Sequence, residues 1–284
     1  MKGKVVVITG GTSGIGQVAA EALATMGARI ILVARDRGRA EHTLKRLQKA
    51  NAVKHSVYYA DLSLLAETKR VGREIAMAEA RIDVLLNNAG AMFASRSVTS
   101  EGLELTFATN HLSYFVLAQV LKVRLLAAGR ARIINTASDA HRIAQLDFAD
   151  LQLASGYSGF KAYGRSKLCN ILFTRELARQ LDGSRITVNA LHPGFVATRF
   201  GDHNRGVVAS LFRFGKHFAM SPQKGAETLI YLASSPEVAN VTGEYFFKSV
   251  VKSPARQAQD DVAARRLWAE SAKLCGFLEL SAAN

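Results

Sequence analysis

The feature that most constrains the fold is a glycine-rich loop lying between a short apolar run and a helical pattern. The run Lys4–Ile8 has the β-branched composition of a strand, and apolar residues follow the loop at helical spacing. The loop itself, residues 9–16, is TGGTSGIG. Glycines permit a tight turn and close approach of the backbone to a phosphate, and a helix start offers free N–H groups to negative charge. The arrangement predicts a nucleotide pyrophosphate site, with a plain turn as the alternative.

Short apolar strands and longer helical patterns alternate through most of the chain. Strand segments such as Val84–Leu86 are continuously apolar, as expected when helices cover both faces of a sheet. The alternation predicts an α/β fold, a Rossmann-type doubly wound parallel sheet of about seven strands. With four prolines and no linker-like composition, all 284 residues are predicted to form one domain. The predicted strands are Lys4–Ile8, Arg29–Val33, Lys54–Ala60, Ile82–Leu86, Ala131–Thr136, Arg185–Ala190 and Glu244–Phe247.

The composition is that of an ordinary globular protein, except for a net charge of +14 and a pI near 10.0. Such a charge raises the question of nucleic-acid or membrane-surface binding. No nucleic-acid recognition motif accompanies it, so no nucleic-acid partner is predicted. Residues 29–54 hold eight Lys and Arg against two Asp and Glu. We interpret this concentration as steering of a polyanionic ligand, and weak attraction to a membrane surface stays open.

Cysteine usage and hydropathy exclude several other classes. The two cysteines, Cys169 and Cys275, form no CxxC pair and no Cys/His cluster, so neither a disulfide scaffold nor a metal site is predicted. No apolar run reaches the roughly 18 residues of a membrane-spanning helix. The expectation is a cytoplasmic protein without a transmembrane segment.

Three motifs in this order resemble the short-chain dehydrogenase/reductase family. They are TGxxxGxG at residues 9–16, Asn-Asn-Ala-Gly at residues 87–90 after the fourth predicted strand, and Tyr163-x-x-x-Lys167. The resemblance extends from residue 3 to about residue 247. Residues 110–112, 162–170, 191–194 and 266–268 are similar to the retinol dehydrogenase-like branch of that family.

The Tyr-x-x-x-Lys spacing puts both side chains on one face of a predicted helix. A phenol titrates near pH 10, and a neighbouring ammonium favours the phenolate and lowers that pKa. Such a pair is otherwise an ordinary surface pair, but Ser138 follows the fifth strand, where ligands collect. The resemblance implies that Ser138 holds the substrate oxygen and that Tyr163 is the acid/base. It also implies that Lys167 binds the nicotinamide ribose and lowers the tyrosine pKa, while Asn110 anchors a water that links Lys167 to solvent.

A second Tyr-x-x-x-Lys pair, Tyr157 and Lys161, lies in the insertion between Ser138 and Tyr163. The interval of 25 residues between those two is about twice the family's usual one, as in the retinol dehydrogenase-like group. Glycines at 156 and 159 disfavour a helix around Tyr157, so Tyr163 is the favoured candidate.

The end of the second strand indicates the cofactor. The family's NAD-selecting acid would fall at Ala34, and Arg35 follows it, where a guanidinium can pair with a 2′-phosphate. NADP(H) is therefore predicted, with Asp36 as a helix N-cap. Asn88 is expected to join neighbouring strands instead of facing cofactor. The predicted cofactor-binding residues are Gly10, Thr12, Ser13, Gly14, Ile15, Gly16, Arg35, Asp61, Leu62, Asn87, Ala89, Gly90, Tyr163, Lys167, Pro193, Gly194, Val196 and Thr198.

The alternation of strand and helix patterns is interrupted at residues 198–221, which we predict to form a substrate lid. Its aromatic residues favour a bulky apolar substrate, and packing of the lid's own underside explains them equally well. Residues 257–275 are predicted to form a C-terminal helix. By resemblance, long helices over 106–126 and 160–181 imply a homo-oligomer, a dimer or tetramer.

The predicted function is NADPH-dependent interconversion of an apolar ketone or aldehyde and its alcohol. Retinoid, lipid aldehyde and steroid-like substrates are not ranked by the sequence. One alternative is reduction of a carbon–carbon double bond, as in the related protochlorophyllide reductase branch. The other is a non-catalytic protein that senses NADP(H).

Overall fold

A computed structural model describes residues 1–195 and 220–277 of the chain. It contains one sheet with the strand order β3-β2-β1-β4-β5-β6-β7-β8. Seven strands run parallel, and β8 runs antiparallel to β7 at the edge. The strands are β1 (Val5–Thr9), β2 (Arg29–Ala34), β3 (Ser56–Tyr59), β4 (Val84–Asn87), β5 (Ala131–Thr136), β6 (Ile186–His192), β7 (Tyr245–Phe247) and β8 (Val250–Val251).

Helices cover both faces of this sheet, as predicted, and each face has its own apolar core. Helices α1 and α6 pack together over one face, while α3, α4, α5 and α7 build the other. The helices are α1 (Gly14–Thr25), α2 (Arg37–Ala50), α3 (Leu65–Ala78), α4 (Ser113–Ala127), α5 (Gly159–Gln180), α6 (Pro222–Ser234) and α7 (Asp261–Leu274).

The strand order reverses between β1 and β4, which both lie beside each other at the centre of the sheet. Chain direction is shared by the first seven strands, so all of their carboxyl ends lie at one edge. In open α/β sheets, ligands bind outside this edge at the point where the strand order reverses. The glycine-rich loop and Ser138 both lie at that edge.

The structure adds three features to the predicted elements. Strand β8 forms a hairpin with β7 through Lys248 and Ser249, which have φ of 51° and 62°. A π-helical segment, Ala108–Leu112, precedes α4, and a short turn of helix at Leu105–Phe107 precedes that segment. The predicted C-terminal helix begins later than expected, because a 3₁₀ turn occupies residues 256–259.

Among the described residues, no helix combines the length and the hydropathy that crossing a membrane requires. Within the same residues, no group of His, Cys, Asp and Glu side chains is arranged to hold a metal ion.

Candidate active site

The glycine-rich loop joins β1 directly to α1, as predicted. Gly10 and Gly14 take φ of 66° and 54°, which favour glycine. Ser13 is the N-cap residue, but its side chain accepts no capping hydrogen bond, and no acidic residue lies in the first turn. The first-turn amides of α1 are therefore left to an external acceptor, and a phosphate suits them by charge and geometry. The Ile15 side chain packs in the core, so only its backbone can serve a ligand.

Close packing explains why glycine is needed at two positions of this loop. A Cβ on Gly16 would lie 2.3 Å from the Gly10 carbonyl oxygen and 2.4 Å from Asn88 Nδ2. A Cβ on Gly10 would lie 2.9 Å from Ala89 Cα. The loop thus packs closely against the segment that follows β4, and each motif fixes the backbone position of the other.

Arg35 directly follows β2 with its side chain 61% exposed, and its Nη1 lies 3.7 Å from Asp61 Oδ2. Asp36 caps α2 by accepting the Arg39 amide at 2.9 Å, which confirms the predicted N-cap. Asp61 also accepts the amide and hydroxyl of Ser63 at 3.0 and 2.8 Å, so it stabilises its own turn. The long, exposed side chain of Arg35 is therefore available to an anion. The Leu62 side chain is packed in the core.

The Asn-Asn-Ala-Gly segment divides into buried and open positions. Asn87 was predicted to face the cofactor, but it is wholly buried and donates to Asn135 Oδ1 at 2.9 Å. It joins β4 to β5 through this bond, and its Oδ1 has no hydrogen-bond partner among the described residues, so a contact with the cofactor stays a prediction. Asn88 donates to the carbonyls of Thr9 and Gly10 at 3.2 and 3.3 Å, which confirms its predicted joining role.

The backbone of Ala89 is occupied within the protein, whereas Gly90 is open. Ala89 N–H donates to Thr9 Oγ1 at 3.0 Å, and its carbonyl accepts the Tyr114 hydroxyl at 2.8 Å. Gly90 is exposed, and a Cβ there would lie 3.3 Å from both Asn110 Oδ1 and Lys167 Nζ. A side chain at this position would therefore cover the buried asparagine and lysine directly, whereas glycine places only an exposed backbone over them.

Three of the predicted catalytic side chains meet at the carboxyl end of β5. Ser138 N-caps the short 3₁₀ helix at Asp139–Ile143, and its side chain lies close enough to the Tyr163 phenol to act on the pKa of that phenol. Tyr163 and Lys167 lie one turn apart on α5, with Nζ 5.5 Å from the tyrosine ring centroid. Nζ also donates to the Thr136 carbonyl oxygen at 2.9 Å, which anchors the lysine to the end of β5.

The pKa values of this pair differ from the expectation. Burial raises the Tyr163 pKa to about 12, although the hydrogen bond from Ser138 acts in the opposite direction. Burial also lowers the Lys167 pKa to about 7. With a pKa of about 7, Lys167 is protonated in only about half of the molecules at neutral pH, so it stabilises a phenolate less than a permanent cation would. The predicted lowering of the tyrosine pKa by Lys167 is therefore not found without cofactor.

Asn110 lies in the π-helical segment and joins this group from the other side. Its Oδ1 accepts the Ala91 amide at 2.8 Å, and its Nδ2 donates to the Ala91 carbonyl and to Ser166 Oγ. A π-helical turn also releases a backbone carbonyl from its usual helical partner. The Asn110 carbonyl oxygen accepts Asn170 Nδ2 at 2.9 Å.

Sequence reasoning missed the buried polar chain that supports these residues. Asn170 donates to both the Asn110 and Thr136 carbonyls, and its Oδ1 lies 3.3 Å from His111 Nδ1. His111 Nε2 in turn lies 2.9 Å from Ser271 Oγ on α7. His111 and Asn170 lie in segments that resemble the retinol dehydrogenase-like branch, and this resemblance was the signal available in the sequence. A polar residue on a buried helix face acquires a partner only when distant segments come together.

Tyr157, the alternative catalytic tyrosine, has a structural position. It precedes α5, and its hydroxyl donates to the Phe93 carbonyl oxygen at 3.0 Å. It also lies 3.4 Å from Glu104 Oε1. These contacts fix the inserted segment, and Tyr163 remains the candidate acid/base.

The segment after β6 is described only in part. Pro193 and Gly194 follow β6 at the same edge of the sheet, and Gly194 has φ of 86°. The predicted contacts Val196 and Thr198 lie outside the described residues, as does the predicted lid except for its end. That end includes Ser221, which caps α6 by accepting the Lys224 amide at 3.3 Å.

The described residues fit an elongated nucleotide cofactor. The free amides of α1 suit a pyrophosphate, Arg35 suits a further phosphate beyond β2, and the opening at Gly90 lies against Lys167 and Asn110. All of these features stand at one edge of one sheet, beside the hydroxyls of Ser138 and Tyr163.

Comparisons with known proteins agree with this geometry. The family model for the short chain dehydrogenases matches residues 4–206. Human retinol dehydrogenase 13 is 41% identical over 283 residues, covering 97% of this chain and 85% of the relative. A solved structure from Mycobacterium paratuberculosis has 30% identity and a TM-score of 0.77, covering 97% of this chain and 94% of that one. The Pseudomonas aeruginosa RhlG/NADP complex has 30% identity and a TM-score of 0.70, covering 87% and 94%.

Proposed function

The chain belongs to the short-chain dehydrogenase family, in its retinol dehydrogenase-like branch, and from this premise we propose that it is an NADP(H)-dependent oxidoreductase. The proposed reaction interconverts an apolar ketone or aldehyde with its alcohol. One observation carries the proposal: Ser138, whose side chain acts on the Tyr163 phenol, and the buried amine of Lys167 come together with that phenol at the edge where a nucleotide would lie.

In this proposal Ser138 and Tyr163 hold the substrate oxygen between two hydroxyls. The Ser138 oxygen accepts the Ala140 amide at 3.2 Å, which leaves its hydrogen for Tyr163 or for a substrate carbonyl. A tyrosine whose pKa is raised by burial stays protonated at neutral pH. That is the form that donates a proton to the oxygen of a carbonyl being reduced.

The reverse direction requires Tyr163 to accept a proton, and this needs positive charge nearby. Lys167 supplies that charge in its protonated form, 5.5 Å from the ring centroid. The exposed Gly90 carries no side chain over the buried Lys167 and Asn110, and in the proposal a water beside it connects Nζ to solvent. When bound, the cofactor supplies or accepts the hydride, and its oxidised ring adds a positive charge to the site.

The choice of NADP(H) depends on Arg35. It is an exposed cation at the end of β2, Ala34 stands where an NAD-selecting acid would be, and the relative RhlG was solved with NADP. Its one described ionic partner, Asp61, is at 3.7 Å and half-exposed. A 2′-phosphate would pair with the guanidinium more favourably than this exposed carboxylate does.

An apolar substrate is proposed on two grounds. The relative that covers nearly the whole chain is named a retinol dehydrogenase, and retinoids are apolar. The aromatic side chains of Phe160 and Phe195 are 53% and 54% exposed, the first one turn before Tyr163 and the second just after the Pro-Gly turn of β6. Exposed aromatic groups beside a site are typical of apolar ligand binding.

The test is a screen for cofactor oxidation with NADPH and NADH against retinal, medium-chain aldehydes and steroid ketones. We expect turnover with NADPH on at least one of these, and formation of the alcohol. Product analysis on an enone distinguishes carbonyl reduction from reduction of the carbon–carbon double bond. A protein that binds NADPH but turns over none of these carbonyls would contradict the proposal and favour the sensing alternative.

A further inference from the structure

We infer that His141 is a positioning residue for Ser138, holding the serine's backbone through one ring nitrogen while the other binds the distant C-terminal segment. The inference rests on the proposed function, in which Ser138 holds the substrate oxygen. It assigns to the residues just before α7 a part in shaping the active site.

Both ring nitrogens of His141 are engaged. Nδ1 lies 2.7 Å from the Ser138 carbonyl oxygen, and Nε2 lies 3.0 Å from the amide nitrogen of Ala255. The residue is fully buried, and its ring packs edge-on against Tyr245 with centroids 5.2 Å apart. Buried polar atoms are nearly always hydrogen-bonded, and the two partners of this ring join the Ser138 backbone to a distant segment.

The partners decide which nitrogen carries the proton. Burial lowers the His141 pKa, so the ring is neutral at neutral pH and has one N–H. The Ala255 amide can only donate, so Nε2 is the acceptor. From this network we assign the hydrogen to Nδ1, which donates to the Ser138 carbonyl oxygen.

This hydrogen bond acts on the serine hydroxyl through the turn that follows it. The Ser138 carbonyl also accepts the backbone amide of His141 at 3.1 Å, which closes the 3₁₀ turn. That turn places the Ala140 amide 3.2 Å from Ser138 Oγ. The Ala140 amide thus holds the position of Oγ, and His141 supports that position by holding the Ser138 carbonyl.

A second side chain from the C-terminal segment holds the same turn. Gln257 Nε2 lies 3.2, 3.0 and 3.0 Å from the carbonyl oxygens of His141, Arg142 and Ala144. Arg142 Nη2 also donates to the Ser253 carbonyl at 3.2 Å. Five hydrogen bonds thus join the turn to a segment more than 100 residues away, and the one made by the His141 ring is the one that continues to Ser138.

Two substitutions separate the two hydrogen bonds of His141. In His141→Asn the side-chain amide reaches the position of Nδ1 and can still donate to Ser138, but nothing replaces Nε2. In His141→Gln the side-chain carbonyl reaches the position of Nε2 and can still accept from Ala255, but nothing replaces Nδ1. We expect kcat within about twofold of wild type for H141N and about tenfold lower for H141Q, or about 1.4 kcal/mol in the barrier.

KM and NADPH affinity should change less than threefold in both variants, because the binding surfaces stay in place. NADPH titration shows that each variant is folded. Gln259→Ala is the matched control, since among the described residues the Gln259 side chain donates to the Pro254 carbonyl within the same segment, and it should keep wild-type kcat. Equal kcat in H141N and H141Q, or wild-type kcat in H141Q, would overturn the inference.

The proposed function and this inference fail in different ways. If the wild-type protein reduces no carbonyl, the proposed function fails, and ¹⁵N chemical shifts of the His141 ring then decide the inference. A ring protonated on Nδ1 supports it, and a ring protonated on Nε2 overturns it. If the wild type turns over but H141Q matches it, only the inference fails.

Discussion

Lys167 donates a 2.9 Å hydrogen bond from its buried amine to the carbonyl oxygen of Thr136, the last residue of β5. The residue is 2% exposed, and burial lowers its pKa to about 7. One contact therefore joins the helix that carries Tyr163 to the strand that leads to Ser138. It also leaves an amine that changes charge near neutral pH.

The first prediction concerns stability and pH. Between pH 7 and 8 the unfolded chain keeps a proton on Lys167 that the folded protein gives up, so unfolding becomes less favourable as pH rises. We expect the free energy of unfolding to increase by about 1 kcal/mol over this interval. Urea denaturation at the two pH values measures it in the absence of cofactor. The increase should disappear in Lys167→Met; if it persists there, Lys167 is not its source.

The second prediction concerns the phosphate loop. Gly16→Ala places a Cβ 2.3 Å from the Gly10 carbonyl, so the loop must move away from the segment after β4. We expect NADPH affinity to fall more than about tenfold, measured by fluorescence titration. Gly38→Ala is the control, because its Cβ would meet only Asp36 Oδ1 at 3.7 Å, and it should leave affinity unchanged. Equal affinities in the two variants would contradict the loop's assigned role.

The third prediction concerns the choice between NADPH and NADH. Arg35→Ala should weaken NADPH binding about 10- to 100-fold, the effect of losing a charge-assisted hydrogen bond, and leave NADH binding within about twofold. Lys45→Gln removes one positive charge from the same basic stretch at an exposed position and should change both affinities little. Parallel loss of NADPH and NADH affinity in Arg35→Ala would show that the guanidinium does not read the 2′-phosphate.

Local motifs predicted much of the site, because the chemistry lies in residues whose spacing is fixed by one loop or one helix turn. The glycine-rich loop at residues 10–16 and the pair Tyr163 and Lys167 are of this kind. The bond from Asn87 to Asn135 was not predicted because Asn135 lies on a neighbouring strand that is distant in sequence. Strand β8 was missed because its turn, Lys248-Ser249, lacks the glycine that usually marks a tight hairpin.

The polar support behind the site had one signal, that His111 and Asn170 lie in segments similar to the retinol dehydrogenase-like branch. The contacts themselves could not be predicted, because His111, Asn170 and Ser271 come from three separate segments. His141 is joined to Ala255, 114 residues away. Such contacts form when helices α5 and α7 pack together, and the spacing of residues along the chain does not predict that packing. The predicted homo-oligomer and single 284-residue domain stay predictions.

The most direct test of the account compares two tyrosines six residues apart. Tyr163→Phe removes the proposed proton donor, and Tyr157→Phe removes a hydroxyl that donates to the Phe93 carbonyl. The measurement is kcat for NADPH-dependent reduction of a carbonyl that the wild-type protein accepts, together with NADPH affinity. We expect Tyr163→Phe to lower kcat at least about 100-fold with NADPH affinity unchanged, and Tyr157→Phe to stay within a few-fold of wild type. A Tyr163→Phe protein that keeps wild-type kcat would contradict the account.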